Sequence, residues 1–173
     1  MISSVACSDE EAPPPQAAVW LTLGTPLGGT CPSGDIFEYP EEARTIITTN
    51  GKAPAGQPAR VADGADLVSC RVAAAAGMPD VFDVEFEFSA GAIGNLIAEG
   101  QLSEAAGGAL DVNLQANSGG LELAQDNCTV TVKEALAGAV WITSLLCPNM
   151  LQARSPGQAC TGTGGLILEN CAR

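Results

Sequence analysis

Apolar and polar residues alternate through most of the stretch from Val81 to Val132. Along Val81-Phe82-Asp83-Val84-Glu85-Phe86-Glu87-Phe88 the pattern has no error. Phe82, Val84, Phe86 and Phe88 fall on one side; Asp83, Glu85 and Glu87 fall on the other. Successive side chains of an extended chain leave opposite faces of the sheet, so period two predicts a half-buried strand. Three glycine-marked turns follow at 89–94, 104–108 and 117–120. Keeping phase across them puts Leu96, Ala98, Gly100 and Leu102 inward, then Leu110, Val112, Leu114 and Ala116, then Cys128, Val130 and Val132. Glu99, Gln101, Ser103, Asp111, Asn113, Gln115, Thr129 and Thr131 face outward with the three acids of the first strand. Strands separated by turns at such regular intervals predict an all-β fold, an antiparallel β-sandwich with a jelly roll as one variant.

Further strands are expected on the same grounds at 17–23, 36–39, 44–49, 66–74, 140–147 and 165–171. Asn50-Gly51 signals a tight turn, and 133–136 reads as a helical turn. The chain divides into a tether over 1–16 and a single domain over 17–173.

Composition narrows the class. Of 173 residues, 46% are hydrophobic but only 4% aromatic, so the core is built from Val, Leu, Ile and Ala. Twenty glycines and eleven prolines favour a turn-rich fold over a helical bundle. The net charge is −13, with only seven Lys and Arg, which argues against nucleic acid as a partner and against direct binding to anionic membranes. The stretch from Val72 to Val132 holds nine acids and no Lys or Arg, so one sheet face is polar and negative. Histidine is absent, which removes Ser-His-Asp and Cys-His nucleophile systems and His-ligated metal sites.

The start of the chain, Ser3-Ser4-Val5-Ala6-Cys7-Ser8-Asp9-Glu10-Glu11 followed by Pro13-Pro14-Pro15, resembles the lipobox and tether of bacterial lipoproteins. Ser4 stands where that family prefers Leu. The resemblance implies lipidation at Cys7, and Ser8 after it implies the outer membrane. No apolar run approaches the roughly 20 residues of a spanning helix, so the expected membrane link is the lipid.

The other six cysteines, Cys31, Cys70, Cys128, Cys147, Cys160 and Cys171, form an even set suited to an exported, oxidised domain. Fifteen pairings are open to six cysteines. Proximity in sequence favours Cys31–Cys70, Cys128–Cys147 and Cys160–Cys171. Zinc is a poor alternative, because there is no CxxC, no His, and no ribbon- or finger-like spacing.

Residues 66–173 carry a further resemblance, in Asn127-Cys128-Thr129-Val130-Thr131-Val132, Gly138-Ala139-Val140-Trp141-Ile142, Leu146-Cys147-Pro148 and Leu168-Glu169-Asn170-Cys171. This pattern is similar to the cysteine-marked β-domain of uncharacterised lipoproteins from myxobacteria and their relatives. It implies export and a lipid anchor, and brings no activity or site residues.

Two groups of acids have the composition of a site. Asp83-x-Glu85-x-Glu87 places three carboxylates on one strand face and resembles the ExDxE strand of laminarinase-like glycoside hydrolases, with the first two types exchanged. Such an enzyme needs one carboxyl as acid and another as nucleophile about 5 Å apart, with aromatic platforms for the sugar. Trp20 and Trp141 fall in other strands, so the plainer reading is the solvated face of an amphipathic strand. Asp63, Asp66 and Asp80 are calcium candidates by charge alone, without a DxDxDG loop. The expectation is therefore an exported, lipid-anchored envelope protein that acts as a binding or structural module without catalysis or cofactor. Its partner would be an envelope protein or a glycan. The alternatives are a carboxylate-dependent jelly-roll glycosidase and a self-assembling surface subunit.

Overall fold

A computed structural model describes residues 13–26, 31, 34–40, 42–49, 66–91, 94–116, 120–153 and 157–173. Among these the elements are β1 (Gln16–Gly24), β2 (Gly34–Tyr39), α1 (Ala43–Thr49), β3 (Asp66–Ala75), β4 (Met78–Ala90), β5 (Gly94–Ser103), β6 (Gly107–Ala116), β7 (Leu121–Leu136), β8 (Ala139–Gln152) and β9 (Ala159–Glu169). The alternating pattern becomes rows of aligned side chains. Val68, Phe88, Leu96, Leu114 and Leu123 stand in register across β3 to β7, and all five are buried. Every residue of the expected inward set is buried except Phe82 and Gly100, which are partly so.

The nine strands form one antiparallel sheet in the order β2-β1-β9-β8-β7-β6-β5-β4-β3. From β3 to β9 each strand pairs with the next in sequence, and β1 and β2 are added beyond β9. This is an up-and-down meander without the Greek-key crossings of a jelly roll. The sheet curls into a half-barrel, and the layers of the sandwich are parts of this one sheet. Tyr39 at the end of β2 lies ring to ring with Phe88 on β4, 4.8 Å between centroids, although seven steps of the strand order separate them. Such a pair contributes about 0.5–1.5 kcal/mol beyond its buried area.

A short tail completes the curl. After β9 the chain runs along β3: Val72 N–H donates to Ala172 O at 2.8 Å, and Ala172 N–H donates to Cys70 O at 3.0 Å. The turn between β7 and β8 joins the same seam, where Gly138 N–H donates to Val72 O at 2.8 Å and Cys171 N–H donates to Gly138 O at 2.9 Å. At the other terminus, the Asn170 side-chain amide donates to Pro14 O at 3.3 Å, so the last turn of the domain holds the proline run. Residues 1–12, with Cys7, lie outside the described residues, as does the Asn50-Gly51 turn.

Two local expectations are overturned. Residues 44–49 were expected as a strand for their β-branched Ile-Ile-Thr-Thr run, but they form α1. Helical spacing buries Ala43 and Ile47, four residues apart, against Ala18 and Ile167 on the outer face of β1 and β9. Trp20, Ile46 and Trp141 flank this patch, and Trp141 Nε1 donates to Ile47 O at 2.9 Å. Thr48 and Thr49 return their hydroxyls to Arg44 and Thr45 carbonyls one turn back, a bond that lets threonine sit in a helix. Burial on the patch outweighs the weak helix propensity. Gly165 permits the contact, since a Cβ there would lie 2.8 Å from Ile47 Cγ2 and 3.0 Å from Trp20 Nε1.

Residues 133–136 were expected as a helical turn and instead continue β7. Irregular register between Thr131 and Glu134 disturbs the alternation. Two polar residues, Lys133 and Glu134, therefore fall together between buried Val132 and buried Ala135.

Candidate functional site

The acidic face predicted from the sequence is the outer face of β3 to β6. Its central row is Arg71, Glu85, Glu99 and Asp111, each directly opposite the next on four successive strands. Arg71 Nη1 lies 3.3 Å from Glu85 Oε1 on an exposed surface, an ion pair worth under about 1 kcal/mol. Glu99 thus stands between two carboxylates, an arrangement that costs free energy on a sheet.

Asp111 has a local task. β6 and β7 fall out of register here, with Leu110 opposite Cys128 and Val112 opposite Gln125, so Asp126 and Asn127 together face Asp111. Asn127 adopts φ 56°, and its N–H, turned out of the ladder, donates to Asp111 Oδ1 at 2.8 Å. Asparagine tolerates this left-handed conformation better than most residues.

The three expected residues separate by role. Glu85 pairs with Arg71, and Asp83 Oδ1 accepts from Gln101 Nε2 at 2.9 Å in the next row. Glu87 is exposed between Ser69 and Ile97. Two shallow depressions flank the row, of about 320 and 340 Å³; Arg71, Glu85 and Glu99 border both. Among the described residues no aromatic ring is exposed beside the carboxylates on this face. Trp20 and Trp141 sit at α1, on β1 and β8, and Trp20 carries the Arg44 guanidinium 4.9 Å from its ring centroid. The face therefore offers an extended set of carboxylate oxygens with Arg71 at its edge strand. Arg71, Glu99 and Asp111 join the site only through strand register, although the alternation had already set Glu99 and Asp111 outward.

Of the three calcium candidates only Asp80 has a described side chain. Asp63 lies outside the described residues, as does the side chain of Asp66. Asp80 sits at the start of β4, at one end of the half-barrel. Among the described residues no group of three His, Cys, Asp or Glu is placed to hold a metal ion.

The six cysteines form three disulfides: Cys31–Cys160, Cys70–Cys171 and Cys128–Cys147. Only Cys128–Cys147 joins the expected neighbours. Cys31–Cys70 and Cys160–Cys171 are replaced by bridges across 129 and 101 residues, because β9 pairs with β1 at one seam and its tail meets β3 at the other. Three disulfides mark an oxidising, extracytoplasmic compartment. Among the described residues no helix is long and apolar enough to cross a membrane.

No family model, curated protein or solved structure matches the chain.

Proposed function

We propose that this protein is an envelope-associated β-domain, lipidated at Cys7, that presents the acidic face of β3 to β6 to an envelope protein or glycan and performs no catalysis. The three disulfides carry the reading, since two of them join parts of the fold 129 and 101 residues apart and suit a domain that works outside the cytoplasm. The lipobox-like start and the resemblance of 66–173 to myxobacterial lipoproteins support the anchor and its outer-membrane destination. The tether supports it too. Pro14 O accepts from the Asn170 side chain, which fixes the proline run that follows the lipobox-like start to the domain.

The test is intact mass after alkylation, with and without reductant, on protein expressed with its native upstream sequence. Six oxidised cysteines and an acyl mass on Cys7 are expected. Seven free thiols, or an unmodified Cys7 in membrane fractions, overturn the anchor. Turnover of β-glucans by the wild-type protein overturns the non-catalytic reading.

A further inference from the structure

At the end of the half-barrel where β4 begins and β5 and β7 finish, the fold leaves a pocket of about 390 Å³. Its wall is apolar. Phe82 belongs by phase to the inner face but is only partly buried there, and Leu136 is 52% exposed. Pro79 and Ala135 join them, and the polar groups include two carboxylates, Asp80 and Glu104. Glu104 sits in the turn between β5 and β6, and its Oε1 reaches over to accept from Ala135 N–H at 2.9 Å. That bond fixes the carboxylate against the end of β7. Among the described residues no Lys or Arg lines the pocket. Arg173, which lies against Gly138 in the following turn, is not among its residues.

A concave apolar wall with a few oriented polar groups is the usual form of a small-molecule site, and the volume lies within the common range. Here the polar groups with charge are all anionic, so they select the sign of the ligand. A net charge of −13 also raises the local concentration of cations. We infer that this pocket binds a small organic cation, an amine carried on an aryl or branched alkyl group. The apolar part lies against Phe82 and Leu136, and the ammonium meets the carboxylates of Asp80 and Glu104. The inference does not depend on lipidation or on the acidic outer face.

The experiment is a titration of the oxidised protein followed by amide chemical shifts, with 3-phenylpropylamine as probe. Propylamine lacks the aryl group, and 3-phenylpropanoate has the opposite charge. Shifts confined to residues 80–82, 103–105 and 135–136, given by phenylpropylamine alone, are expected. Glu104→Gln keeps an acceptor for Ala135 N–H and removes the charge, so it should weaken binding roughly tenfold with the spectrum otherwise retained. Leu136→Ser, at an exposed position, should weaken it as well. No shifts, an equal response to propylamine, or shifts spread over Glu85, Glu99 and Asp111 would overturn the inference. The last two outcomes would show general charge attraction in its place.

Discussion

Val72 and Ala172, a hundred residues apart in sequence, are joined by an N–H···O=C bond of 2.8 Å that closes the seam between β3 and the tail after β9. The neighbouring Cys70–Cys171 disulfide makes that contact covalent.

Replacing both cysteines of that bridge with serine should lower unfolding stability by about 2–5 kcal/mol, read from urea denaturation. The Val72 amide should lose hydrogen-exchange protection more than the amides of β5 and β6. Unchanged protection at Val72 would mean that the seam holds without the bridge.

Gly165→Val tests the packing of α1. The added side chain meets Ile47 and the Trp20 indole, so the helix must move from the sheet. A loss of about 1–3 kcal/mol is expected, with a red shift in tryptophan emission, since both tryptophans flank the α1 patch. An unaltered emission spectrum would contradict the placement of the helix.

Glu99→Lys puts a cation directly opposite both Glu85 and Asp111. Stability should rise by about 0.2–1 kcal/mol in low salt, and the gain should shrink as salt screens it. A loss of stability would show that Glu99 has a favourable role that the strand register does not reveal.

Asp111→Ala leaves the Asn127 N–H without its acceptor at the bulge. The expected cost is about 0.5–1 kcal/mol at this exposed position, while Asp111→Asn, which keeps an acceptor, should recover most of it. Equal losses in the two variants would assign the effect to charge.

The strands that carry the acidic face were legible residue by residue, because one side of each is buried and the other solvated. Phe86, Leu96 and Val112 could not shift by one position without exposing a whole row. The missed features depend on distant parts of the chain. Ile46 and Ile47 have the composition of a strand, and only the patch at Ala18, Ile167 and Trp141 makes a helix the better burial. Cys31 and Cys160 meet because β1 returns to pair with β9, which no spacing between cysteines encodes. The row Arg71, Glu85, Glu99 and Asp111 required the register of four strands. The alternation specifies which way each side chain faces, but not which residue it faces.

The pairing of β1 with β9 has a consequence for how the chain is made. Among the described strands β1 comes first in the chain, and its neighbours in the sheet are β2 and β9, the described strand furthest from it in sequence. The hairpins from β3 to β8 can assemble as they emerge, and Cys128–Cys147 closes within them. β1, β2 and the other two disulfides must wait for β9 and the residues just after it. Contacts of such high sequence separation form slowly. A sheet whose β1 and β2 can join only once β9 is in place keeps that side unpaired until late, so the two long-range disulfides are the last to close.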